Sequence, residues 1–133
     1  MLVEGLFDLL STEASITAVL GSGKVWAGSS PEVAPLPHIV YSQVSGDGNP
    51  GLDGPEDLYQ VRFQFSCYGS SYLQAKRLQL TVRRFLEGFR GALSDGSEVD
   101  STTLSFEGDS YEEAPKLYHA PIDFEFVYRD TGS

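Results

Sequence analysis

Four sets of residues in this chain are of types that could do chemistry. Gly46-Asp47-Gly48-Asn49-Pro50-Gly51 fits the spacing of a dinucleotide-binding fingerprint. Such a turn must open directly into a helix whose N-terminus holds the pyrophosphate. Here Pro50 and Pro55 follow, then an alternating strand, and Asp47 and Asp53 stand where an anion would have to sit. That context argues against a nucleotide site. In the same stretch Asp47, Asn49, Asp53, Glu56 and Asp57 could lend oxygens to a hard cation. Their spacing is not that of an EF-hand loop, and the two prolines break the turn it needs. At most this predicts weak, adventitious Mg²⁺ or Ca²⁺ binding. His38 and His119 are the two histidines, with no cluster of further ligands that would complete a metal site. Cys67 is the single cysteine, so it forms no internal disulfide and no thiolate cluster. It falls in phase with Val61, Phe63 and Phe65 and reads as a buried thiol rather than a nucleophile. No Gly-x-Ser-x-Gly elbow occurs, and an acidic pair such as Glu112/Glu113 is ordinary on an acidic surface. The expectation is no enzyme, no cofactor and no metal.

Charge is more informative than any motif. The chain has 133 residues, nine basic and nineteen acidic, for a formal charge of −10. That balance counts against phosphate binding by the isolated domain. An acidic wall would still suit a conduit that must let a duplex pass without holding it. Five of the nine bases fall in one stretch: Lys76, Arg77, Arg83, Arg84 and Arg90. Lys76, Arg83 and Arg90 are spaced by seven, as are Arg77 and Arg84. On a helix they form a stripe opposite Ala75, Leu78, Val82, Phe85 and Phe89. From Asp95 to Glu113 there are seven acids and no base. A basic stripe on an otherwise acidic small domain suggests head-to-tail contact between unlike patches, the kind that closes into rings. The competing reading is a solvated helix face with long stems lying along the surface.

The elements that would position these groups follow from periodicity. One domain spanning 1–133 is expected, long enough for a single core. Leu2, Leu6, Leu9 and Leu10 have helical spacing. Ser11 or Thr12 is placed to cap a second short helix with Ile16, Val19 and Leu20, which Gly21 ends. Met1–Leu10 lacks a basic n-region and is interrupted by Glu4 and Asp8, so it reads as helix and not as a signal peptide. No apolar run approaches the ~20 residues of a membrane span. Lys24-Val25-Trp26 reads as a short strand and 28–37 as a loop. His38–Ser45 reads as a strand. In Tyr59–Tyr68 one face carries Tyr59, Val61, Phe63, Phe65 and Cys67, and the other Gln60, Arg62, Gln64 and Ser66, the pattern of a half-buried antiparallel strand. The long helix starts near Ser71, with Gln74 placed for a capping box, and Gly91 ends it. Val99–Glu107 is a polar strand. In the last strand Tyr118, Ala120, Ile122, Phe124, Phe126 and Tyr128 alternate with His119, Asp123 and Glu125. Pro121 removes a ladder donor and should lie at a bulge or an open edge. Residues 129–133 read as a flexible tail, and 46–57 as a long acidic Gly/Pro loop. The fold class is α+β: a mostly antiparallel sheet of four to five strands, one long helix on one face, and a short N-terminal helical segment.

Several of these features in order resemble the tail-completion (head–tail joining, or tail-terminator) proteins of long-tailed bacteriophages. They are Val19-Leu20-Gly21 leading to Val25-Trp26, the Pro-anchored strand from Pro37 to Tyr41, the Gly-rich loop, the alternating strand ending in Cys67-Tyr68, and the helix start Ser71-Tyr72-Leu73-Gln74-Ala75. The likeness covers nearly the whole chain. It implies a structural virion protein of the phage tail or neck, assembled in the host cytoplasm. Such a protein would cap the tail tube as a homo-hexameric ring and join it to a head-completion or connector protein. DNA would pass through without specific binding, and no membrane is involved. Within that reading, charge segregation makes Lys76, Arg77, Arg83, Arg84 and Arg90 the expected subunit interface, and position and loop length single out the acidic stretch. Asp47, Asn49, Asp53, Glu56 and Asp57 are the expected lumen or tube-docking loop. Other readings stay open: another neck, head-closure or minor tail component, or a small α+β domain with a ligand pocket between helix and sheet.

Overall fold

Leucines at 2, 6 and 10 fall on one side of a helix, and all three are buried there. In the computed structural model, which describes residues 2–31, 34–47 and 58–130, this helix is α1 (Leu2–Thr12), followed by α2 (Ala14–Leu20). The break between them is one residue later than the sequence suggests. Thr12 turns its hydroxyl back to the Asp8 carbonyl, 2.7 Å away, and so finishes α1. Glu13 takes over as N-cap of α2, its carboxylate accepting from the Ser15 N–H. Gly21 closes α2 at φ +60, a conformation that suits a residue without Cβ. Gly23 is needed for another reason: a Cβ there would collide with the carbonyl of Pro37.

The strands are β1 (Val25–Ala27), β2 (His38–Asp47), β3 (Leu58–Gly69), β4 (Gly91–Ala92), β5 (Ser97–Glu107), β6 (Tyr111–Ala114) and β7 (Leu117–Asp130), with α3 (Tyr72–Leu86) between β3 and β4. The sheet runs β1-β2-β3-β7-β5-β4, and β6 pairs with the start of β7. β3 and β5 both lie antiparallel to the central β7. They therefore run parallel to each other, with α3 as the crossover between them.

The α+β class is as expected, but the sheet is larger and mixed. Seven strands are present among the described residues, and β1 joins β2 in parallel through Val25↔Ile39 and Ala27↔Tyr41. β4 is too short, and β6 too uniformly exposed, to leave a period of their own. The one long helix, α3, packs on the sheet as expected, and the short N-terminal helical segment is two helices, α1 against β1 and α2 against α1 and α3. Tyr41 reaches from β2 to donate to the Val3 carbonyl of α1. The core fills the helix-covered face: Ile39, Tyr41, Phe63, Phe65, Cys67, Ala120, Ile122, Phe124 and Phe126 from the strands, Leu78, Val82 and Leu86 from α3. Phe63 and Phe65 meet Phe126 and Phe124 edge-on, at centroid separations of 6.0 and 6.2 Å.

Pro121 sits where its missing N–H does no harm, opposite the junction at which β5 gives way to β6. Its carbonyl accepts from the Gly108 N–H at that junction.

Candidate assembly surfaces

α3 begins where the sequence places it. The Ser71 hydroxyl accepts from the Gln74 N–H at 3.2 Å. Gln74 returns its amide oxygen to the N–H of Ser70, one residue before the cap, a near variant of the capping box. The buried side of α3 carries Ala75, Leu78, Val82, Leu86 and one polar residue, Gln79. Gln79 is a site residue that sequence reasoning missed. Its Nε2 donates to the carbonyls of Gly108 (2.7 Å) and Pro121 (2.8 Å), clamping the helix to the β5–β6 junction. A glutamine in an apolar stripe was the available signal, because a buried amide needs partners of this kind.

The basic stripe divides. Lys76 and Arg83, on one flank, are engaged within the chain. Lys76 Nζ lies 3.4 Å from Asp109, and Arg83 Nη1 lies 2.8 Å from Glu107. Asp109 also accepts from the Tyr72 hydroxyl at 2.8 Å. That hydrogen bond, with the Ser110 N–H and Lys76, holds its carboxyl below the usual range. Arg77 and Arg84 lie on the outermost line of α3, exposed and without an ion-pair partner among the described residues. They alternate there with Leu73, 60% exposed, and Leu80, 42% exposed. Arg90 departs from the expected placement. α3 ends at Leu86 with Glu87 as its cap, so Arg90 lies in the connection to β4 and not on the helix stripe. Gly88 stops the helix early, its φ of +79 turning the chain so that its N–H reaches the Thr102 carbonyl on β5. Phe89 is likewise off the helix, yet stays in ring contact with Phe85.

A groove of about 480 Å³ opens at the other end of the helical layer, between α1, α2 and β1. Phe7, Leu20, Val25 and Trp26 supply its apolar wall. Phe7 is 41% exposed, and the Trp26 indole N–H, cut off from solvent, has no acceptor among the described residues.

Among the described residues no helix lies on the other face of the sheet. Asp123 projects there, as the alternation requires, yet its side chain is only 2% exposed. Arg62, on the neighbouring β3, gives both Nε and Nη2 to Asp123 Oδ2, at 2.9 and 2.6 Å. At one end of that face the two histidines flank Tyr68: its ring is stacked on His119 at 4.6 Å and lies 5.0 Å from that of His38. His38 Nδ1 bonds the Pro35 carbonyl, and burial lowers its pKa. His119 Nδ1 lies 2.9 Å from the Tyr111 hydroxyl and 3.0 Å from Glu113. A carboxylate only accepts, so Nδ1 carries the hydrogen in that contact. Among the described residues no group of three or more His, Cys, Asp or Glu is arranged to hold a metal. Cys67 is fully buried, and desolvation pushes its thiol far up. Of the acidic loop, Asn49, Asp53, Glu56 and Asp57 lie outside the described residues, as does the side chain of Asp47. No helix among the described residues is long and apolar enough to cross a membrane.

Three comparisons bear on this arrangement. A family model described as tail completion protein gp17 matches residues 4–129. No curated protein matches the chain in sequence. A chain from the virion of a native gene transfer agent (GTA) particle has the same fold, with a TM-score of 0.72 over 96% of this chain and 94% of that one, at 18% identity.

Proposed function

The chain belongs to the tail completion protein gp17 family, and from that premise we propose that it caps the end of a phage tail tube as a ring and joins the tail to the head-side neck. It is a structural tail protein, and its work is assembly. Membership of the family carries the reading, and the likeness to a chain of a phage-like virion accords with it. The charge layout supports it: an acidic chain of formal charge −10 keeps two arginines, Arg77 and Arg84, exposed on the outer line of α3. Bases held outward and unneutralised on an acidic molecule favour contact with a second acidic surface. The subunit interface is therefore assigned to Arg77 and Arg84, with Lys76 and Arg83 holding the flank in place and Arg90 at the edge of the patch. The stretch 46–57, which begins with the last two residues of β2 and carries Asp47, Asn49, Asp53, Glu56 and Asp57, is assigned to the lumen or the tube-docking surface. The partners are other copies of the chain, the tail tube protein and a head-completion protein, with DNA passing through the lumen.

A ligand pocket between α3 and the sheet is disfavoured. Leu78, Val82, Phe65 and Phe124 are all fully buried along that seam and fill it.

The test is native mass spectrometry over a concentration series, with and without matching tail tubes. Rings of six 14.5 kDa chains, or capture of the protein at tube ends, support the proposal. A strict monomer that also ignores tubes overturns it.

A further inference from the structure

We propose that β6 of one copy of this chain pairs, antiparallel, with the open edge of β1 on the next copy, so that the sheet runs on from subunit to subunit. The inference rests on the self-assembly proposed above and adds a backbone contact to the one assigned to α3.

The sheet has an open edge on each side, at the same end. β1 is the last strand beyond β2, and β6 lies outermost beyond β7. The row His38–Tyr68–His119–Tyr111 joins β2, β3, β7 and β6 at that end, and β1 begins beside it, with Val25 opposite Ile39. Bonds from β1 to β2 run through the Lys24 carbonyl and the Gly28 N–H, which meet Ile39 and Tyr41 at 3.1 and 2.8 Å. Alternation then points the N–H groups of Val25 and Ala27 away from β2, where neither has an acceptor among the described residues. Lys24, Val25, Trp26 and Ala27 in succession line the groove, so the space beside this edge is open. Every residue of β6 is exposed. Unpaired edges of this kind are templates for pairing with another chain.

Strand sense and side chains select the partner. β1 is parallel to β2, and β2, β3, β7 and β6 alternate in direction, so β6 meets the next β1 antiparallel. For the sheet to continue, its faces must match. On β1, Lys24 and Trp26 alternate with the buried Val25 and fall on the face opposite the helices. On β6, Tyr111 and Glu113 fall on that same face, both within hydrogen-bond distance of His119. The register that sets Trp26 opposite Tyr111 also sets Lys24 opposite Glu113. An aromatic pair and an opposite-charge pair are combinations that stabilise cross-strand neighbours. Lys24 is exposed and in no ion pair among the described residues, and Glu113 has only His119 there. A slip of one residue would put every one of these side chains on the wrong face. The stagger this register needs, about two residues, is the kind that tilted strands absorb when a strand array closes. The contact is heterologous: each copy offers β6 to one neighbour and β1 to the other, and repetition gives a closed ring or an open row.

The experiment is site-directed disulfide trapping on the full chain, whose native cysteine is buried and silent. One variant carries Lys24→Cys, a second Glu113→Cys and a third Glu112→Cys. Each is oxidised alone and in mixtures, in solution and on matching tail tubes. Lys24→Cys mixed with Glu113→Cys should give about tenfold more dimer than either variant alone, as a directional contact requires. It should also exceed Lys24→Cys mixed with Glu112→Cys by about tenfold, because residue 112 points to the other face of the strand. Equal yields from 112 and 113 would mean proximity without strand pairing and would overturn the proposal. So would absence of mixed dimers in both settings, even if native mass spectrometry finds rings, which would leave the ring reading standing. Mixed dimers from protein that never caps tubes would have the opposite meaning, sustaining the pairing and sinking the tail-capping role. A charge exchange guards against local misfolding. Lys24→Glu and Glu113→Lys should each weaken assembly by about tenfold, and mixing the two should restore it, since every contact then joins opposite charges. Failure of that rescue, with both variants folded by circular dichroism, overturns the assignment.

Discussion

The two faces of the sheet are made by the same strands and obey different rules. On the helix-covered face burial comes from a second layer, and every central position is apolar: Phe63, Phe65, Ile122, Phe124 and Phe126 are hidden by α3 and by one another. On the bare face no helix among the described residues lies over the strands, yet Asp123 is as hidden as those apolar side chains. Its cover comes from within the sheet. Arg62 lies across from β3, and the irregularity between Leu104 and Phe106 brings Phe106 opposite it on β5. A charged side chain can thus be buried without being part of the core, provided its counter-charge is built into the next strand.

The sharpest way to break that comparison is to empty the covered face. Phe124→Ala should cost about 3–5 kcal/mol in urea unfolding. A loss under about 1 kcal/mol would mean that the covered face is not the core. On the bare face the cost should depend on which partner is removed. Arg62→Ala strands a buried carboxylate and should cost about 2 kcal/mol. Asp123→Ala leaves a guanidinium that is 40% exposed and can turn to water, so about 1 kcal/mol is expected. Equal costs would show that the pair behaves as an ordinary surface ion pair. Ser71→Ala removes the α3 cap, with an expected loss of about 1 kcal/mol by thermal melting.

Within α3 the same contrast recurs on a smaller scale, between bases that face inward partners and bases that face out. Arg83→Ala should lose about 0.5 kcal/mol with its Glu107 pair. Arg77→Ala should leave stability within about 0.5 kcal/mol while weakening capture at tube ends. If Arg77→Ala destabilised the fold and spared assembly, the division of the stripe would be wrong. The smallest expected effect is a titration. Burial lowers the pKa of His38 from 6.5, so the unfolded chain takes up the proton first. Stability should then be fully present above about pH 6.5 and decline as pH falls through and below it. His38→Gln should flatten that decline in a pH series of melts.

The long elements were legible because they carry their own period. Alternation of large apolar and polar residues marks β3 and β7, and the spacing from Ala75 to Leu86 marks α3. β4 and β6 were not legible, because two residues at Gly91–Ala92 and a uniformly exposed Tyr111–Ala114 have no pattern until a neighbour pairs with them. Extending α3 to Gly91 was an error of the same kind: Phe89 and Arg90 continue the helical spacing, but Gly88 turns the chain toward Thr102. The basic stripe was visible as a set, although its division into engaged and outward-facing members was not.

Local periodicity, the acidic balance, the Ser71 cap and the Gly21 stop were determined by the sequence itself, since each depends on residues within a turn or two along the chain. The tertiary structure alone decided which strands are neighbours, and with that everything that depends on partners distant in sequence. It set β1 parallel to β2, placed Arg62 beside Asp123 sixty-one positions away, gave Lys76 and Arg83 acids from the other side of the crossover, and left Arg77 and Arg84 facing out. A side chain's propensity is a property of its own segment, whereas its electrostatic partner is a property of the fold.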